Sequence, residues 1–89
     1  MNEVFIINNI GYVLHQLETE GYWEEIWTMQ NVRQRTGLRY QLIYCLERRG
    51  IIGKIERARN GRLIWMPSEI YEMLKKIKSY LSKRIKYHE

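Results

Sequence analysis

Thr36–Ile52, TGLRYQLIYCLERRGII, spells out a turn, a helix and a helix stop in succession. After Thr36-Gly37, Leu38, Leu42, Cys45 and Leu46 recur at spacings of three and four, with Ile43 beside them. That period predicts a helix over 38–49 whose inward face runs on to Arg49. Gly50 stands where a helix C-terminal glycine belongs, because glycine takes the left-handed backbone there without a Cβ penalty. Cys45 is the lone cysteine, with no intrachain disulfide partner and no second thiol for a metal, and it reads as a small core residue. The opposite side of this helix gathers Arg39, Tyr40, Gln41, Tyr44 and Arg48, a mixture of long donors and aromatics.

Working outward toward the N-terminus, Thr28 is an N-cap candidate for a second helix over 28–36, with Met29 and Val32 turned inward and Thr36-Gly37 ending it. The aromatic YWEEIW before it reads as a short strand or a loop over the core. Earlier still, Val4, Ile7, Ile10, Leu14 and Leu17 predict an amphipathic helix over 3–20. Ile6 and Val13 widen its apolar stripe beyond the needs of one small core, so part of that face is expected to meet a partner.

Toward the C-terminus, IIGKIERA and RLIWM are β-prone runs joined through Asn60-Gly61. Asn-Gly is a strong hairpin signal, since a type I′ turn needs positive φ at both central residues. A hairpin is therefore expected over 52–66, with Arg59 and Arg62 facing each other across it, a repulsive pair. Its register decides whether Trp65, or Ile64 and Met66, face the core. Pro67 opens a last helix over 67–86, with Glu69 early and Lys83, Arg84 and Lys86 late, as the helix dipole favours. Ile70, Leu74, Ile77, Leu81 and Ile85 form its stripe. The chain reads as one domain, 1–89, mainly α with a small β-hairpin.

Charge divides the chain. Residues 1–32 carry five glutamates and no lysine or arginine, whereas residues 33–89 carry all fifteen lysines and arginines against five glutamates. A basic block beside an acidic one points to a polyanionic partner. No apolar run reaches the roughly 18 residues of a membrane helix, and the N-terminus lacks the features of a signal peptide, so a cytoplasmic protein is expected. The stretch LKKIKSYLSKRIK alternates cations with an apolar stripe, but burying that stripe against protein is the better use of it than a membrane surface. Enzyme chemistry is not expected: the chain has no aspartate, no glycine-rich phosphate loop and no nucleophile beside a base, and Glu24 and Glu25, being adjacent, point apart. His15 and His88 show no metal-ligand spacing, and no cofactor is implied.

The order helix, helix, short turn, helix, basic hairpin, helix resembles a winged helix-turn-helix domain. TGLRYQLIYCLERRGII followed by ARNGRLIWMPSEI is similar in spacing to the mercury-resistance-type regulators and the phage excisionases. The added first and last helices resemble those of the small dimeric winged-helix regulators of bacteria, archaea and archaeal viruses, which for a viral protein would place it in the host cytoplasm. The resemblance implies a sequence-specific double-stranded DNA-binding protein, a transcription regulator acting as a homodimer. The third helix would then enter the major groove with Arg39, Gln41 and Tyr40 near base edges, and Tyr44 and Arg48 on sugar and phosphate. Arg33, Arg35, Thr28 and Gln30 would clamp the backbone, and Lys54, Arg57, Arg59, Asn60 and Arg62 would form the wing. The dimer seam would join Ile6, Ile10 and Val13 to Ile70, Leu74, Ile77, Leu81 and Ile85. A winged helix also serves as a protein–protein adaptor in transcription or replication assemblies, because fold does not fix function.

Overall fold

The computed structural model describes residues 3–20 and 26–88. Most of YWEEIW, including Glu24 and Glu25, lies outside the described residues. Among the described residues the helices are α1 (Glu3–Glu20), α2 (Met29–Thr36), α3 (Tyr40–Arg48) and α4 (Pro67–His88). Two short strands, β1 (Trp27–Thr28) and β2 (Ile64–Trp65), pair antiparallel with Trp27 opposite Trp65 and Thr28 opposite Ile64.

The long helices α1 and α4 pack antiparallel. Arg84 reaches Glu3 at one end (3.3 Å), and the Tyr71 hydroxyl donates to Glu18 at the other (2.6 Å). Between those ends Ile6, Ile10 and Val13 of α1 and Ile70, Leu74, Ile77 and Leu81 of α4 are buried in the chain's own core, with Ile85 half-buried. Burial inside one chain leaves all of these except Ile85 without surface to offer a seam between copies. Two complementary stripes on one chain bury each other at no loss of association entropy, which a partner chain would have to overcome.

Thr28 caps α2 as expected: its Oγ1 accepts from the Asn31 amide, and Asn31 Oδ1 accepts from the Thr28 amide in return. At the other end Thr36 is fully buried, donating to the Val32 carbonyl (2.6 Å) and accepting from the Leu38 amide (3.1 Å). Those bonds, with Gly37 left-handed at φ 82°, turn the chain so that Leu38 drops into the core. The turn consumes Leu38, so α3 starts at Tyr40 with Arg39 as its N-cap, two residues later than the period predicts.

Within α3, Ile43 and Leu46 are fully buried and Leu42 half-buried, while Cys45 and Arg49 are exposed. The inward face is therefore rotated from the expected one, and Cys45 is not a core residue. Beyond α3, the Gly50 amide donates to Glu47 and the Ile51 amide to Leu46, closing the helix in the paired-bond pattern that glycine permits.

The hairpin differs from expectation at its tip. Among the described residues only glycines have positive φ, which excludes a type I′ turn centred on Asn60-Gly61. Instead the Gly61 amide donates to the Ala58 carbonyl and the Ala58 amide to the Arg62 carbonyl, enclosing a three-residue loop of Arg59, Asn60 and Gly61. Within that loop Gly61 alone is left-handed (φ 84°), the position where a side chain would be strained. Asn60 keeps ordinary φ and its Oδ1 accepts from the Arg62 amide (3.1 Å). Arg59 and Arg62 therefore do not oppose each other across a ladder; the cross-strand pair below the loop is Arg57 with Leu63.

Leu63 and Trp65 face inward and Met66 outward, which fixes the register. The Trp65 indole is buried, and its Nε1–H has no acceptor among the described residues. Pro67 starts α4, and Glu69 caps it by accepting from the Met66 amide (2.9 Å).

Candidate nucleic-acid interface

α3 presents Gln41, Tyr44, Cys45 and Arg48 to solvent, with Arg39 exposed just ahead of it. Each lies opposite the buried Ile43–Leu46 side, so their exposure follows from the helix period. The rings of Tyr40 and Tyr44 stack (5.7 Å between centroids, 15° between planes), and the Arg48 guanidinium lies 5.7 Å from the centre of the Tyr44 ring. These contacts hold three long side chains in one row.

Two adjoining grooves flank that row. One of about 390 Å³ is lined by Thr28, Met29, Gln30, Tyr40, Arg62 and Leu63, joining the start of α2 to the hairpin. The other, about 340 Å³, is lined by Met29, Arg33, Arg39, Tyr40 and Gln41. No carboxylate among the described residues lines either groove. Residues far apart in sequence thus meet as one cationic and aromatic surface.

Other candidates are engaged elsewhere. Arg35 folds its guanidinium over the Trp27 ring at 4.8 Å. The Thr28 hydroxyl is taken up in the α2 cap, donating to Asn31 Oδ1 as well as accepting from the Asn31 amide. Lys54 lines separate grooves beside α4 and the outer hairpin strand. Arg57 is a clasp: its Nη2 donates to Glu47 Oε1 (3.1 Å), and Glu47 Oε2 accepts from the Ile55 amide (2.7 Å). The three hairpin arginines thus reduce to Arg59 and Arg62 at the tip, both exposed, with Asn60 between them.

Glu47 is a residue that periodicity and motif alone pass over, although it carries a signal. An acid in the last turn of a helix opposes the dipole unless it has a partner. Burial raises its pKa, but the Ile55 amide, the hydrogen bond and charge of Arg57 and the charge of Lys54 together bring it below the usual carboxylate range. A lowered folded-state pKa stabilises the fold fully above the unfolded value, and the gain disappears as pH falls through the folded one. Glu47→Gln is expected to lower the urea midpoint at neutral pH and to become equal to wild type once the medium is acid enough to protonate Glu47. A gap between the two that persists unchanged into that acid range counts against the clasp. Arg49, expected on the buried face, donates instead to the Tyr80 hydroxyl of α4 (3.0 Å).

Among the described residues no group of three or more His, Cys, Asp or Glu is placed to hold a metal ion, and no helix is long and apolar enough to cross a membrane. No protein-family pattern, characterised protein or solved structure matches the chain.

Proposed function

We propose that the chain is a winged-helix protein that binds double-stranded DNA sequence-specifically, as a transcription regulator. The observation that carries this reading is the surface where Arg39 and Gln41, at the start of α3, meet Arg33 and Arg62 across two grooves lined by no carboxylate among the described residues, beside the row of Tyr40, Tyr44 and Arg48. A helix of this diameter fits the major groove of B-DNA. Arg39 and Gln41, at its N-terminal end, are the residues for base edges, since arginine pairs with guanine and glutamine with adenine through two hydrogen bonds. Tyr44 and Arg48 fall toward sugar and phosphate, and Arg33 and Gln30 toward the backbone on the other side of the groove. The hairpin is then the wing, with Arg59 and Arg62 at its tip reaching phosphates or a narrow minor groove.

Selection from random duplexes followed by titration tests this. Arg39→Ala and Gln41→Ala are each expected to cost about 1–3 kcal/mol on the selected site and much less on random DNA. Equal losses on both demote the two residues to phosphate contacts.

The second reading, a protein adaptor, is favoured by one feature: Tyr40 and Tyr44 are 45% and 40% exposed although large and aromatic, as interface anchors are. An adaptor leaves the mobility of duplex DNA unchanged when no other protein is added.

A further inference from the structure

The end of α3 is bracketed by two different elements. Glu47 and Arg49 are two residues apart, about 200° round a helix, and so leave opposite flanks of α3. Glu47 meets Arg57 of the hairpin (3.1 Å), whereas the Arg49 guanidinium donates to the Tyr80 hydroxyl of α4 (3.0 Å). Arg48 lies between them on the exposed side, over the Tyr44 ring. A duplex seated on that side has the hairpin along one edge and α4 along the other.

The two edges differ in what they offer. Against the hairpin, the charge of Arg57 is taken by Glu47. Against α4, Arg49 has the neutral Tyr80 hydroxyl, and no carboxylate among the described residues pairs with it. Lys83 is three residues on from Tyr80, within about 60° of it round the helix, and it too is exposed with no ion-pair partner among the described residues. Because the Tyr80 oxygen accepts from Arg49, its own proton is left to donate. The neighbouring carboxylates do not answer these donors. Glu3 holds Arg84, which also lies over the Tyr80 ring, so that pair adds no net charge. Glu69 and Glu72 line a groove with Lys54 and Lys76, and no acid follows Glu72 as far as His88.

We propose that Arg49, Tyr80 and Lys83 form a phosphate-binding edge, gripping the DNA backbone beside the C-terminal end of α3 on the side away from the hairpin. The inference rests on the DNA-binding reading above. Arg48 of the α3 row adjoins Arg49, so a backbone that reaches the first passes the second. Guanidinium, hydroxyl and ammonium are three donors, and a phosphate takes all three through its charged oxygens. Continuity with the α3 row selects DNA over an acidic protein segment, which would have no reason to meet the patch at that end.

The test is a salt series on the duplex selected from random sequence, with wild type, Lys83→Ala, the Arg49→Gln, Lys83→Ala pair, and Lys75→Ala. Lys75 packs over the Tyr71 ring, about 140° round α4 from Tyr80, and serves as the matched control. Lys83→Ala is expected to flatten the log–log slope by about 0.9 and the pair by about 1.8, while Lys75→Ala stays near wild type. The preference for the selected over a random duplex should survive in all of them. Replacing single phosphates by neutral methylphosphonates should reveal positions that weaken wild type but not the pair. Lys83 is exposed, so its variant reports on the edge even if loss of the Arg49 bond unsettles the fold. A wild type with no affinity for duplex DNA overturns the DNA-binding reading and this edge with it. A wild type that selects a duplex, while Lys83→Ala and the pair keep its slope and phosphate map, overturns the edge alone and leaves the α3 contacts standing.

Discussion

Binding to a fixed duplex is expected to weaken steeply with salt, and the Arg59→Ala, Arg62→Ala double variant to flatten the log–log slope by about 1.8, at about 0.9 for each phosphate no longer neutralised. These guanidiniums are the two that the hairpin loop leaves exposed at its tip. Arg57→Ala should behave differently. Its partner is Glu47, so its removal loosens the hairpin base and lowers stability while leaving the salt slope near that of wild type. Fluorescence anisotropy over a salt series reads the slope, and urea titration reads the stability. An unchanged slope and affinity in the double variant means the proposed wing does not touch DNA, and the adaptor reading then takes precedence.

The second large effect concerns the fold. Leu46 is fully buried on α3, next in sequence to the exposed Cys45. Leu46→Ala is expected to cost about 2–5 kcal/mol, because the apolar transfer gain disappears and the cavity relaxes only in part. Set against the roughly 5–15 kcal/mol that holds a typical domain, that leaves a marginal protein. Cys45→Ala should stay within about 0.5 kcal/mol, because the thiol is exposed and its loss opens no cavity while the backbone cap bond is kept. Urea midpoints for the two variants decide the rotation of α3: comparable losses would return Cys45 to the core.

Much of this arrangement is legible in the sequence where one local cause dominates. Thr28 caps a helix through its side chain, Gly50 stops one, and the stripes of α1 and α4 are long enough for their period to stand out. Legibility fails where a choice depends on distant residues. A buried stripe looks the same whether a second copy or the chain's own α4 covers it, so Ile10 and Leu74 point to a seam that is in fact internal. In the short α3, a small residue such as Cys45 sits at the margin of the apolar arc, and the turn at Thr36–Leu38 sets the phase. The hairpin tip depends on whether Asn60 joins Gly61 in positive φ, and the Asn60 bond to the Arg62 amide decides against it. β1 is two residues long, too short for any period to show. The exposed row of the candidate surface is readable because it is the complement of the core. The engagement of Arg35 and Arg57 is not, since both partners, Trp27 and Glu47, lie in other elements.

Trp65 gives the fold a built-in clock. Its indole proton is enclosed where β2 meets β1 and α4, with no acceptor among the described residues to hold it. Trading that proton with the solvent requires these elements to part, since a residue only 3% exposed gives water no direct access. The lifetime of one hydrogen there thus measures how often β2 parts from the elements packed around it.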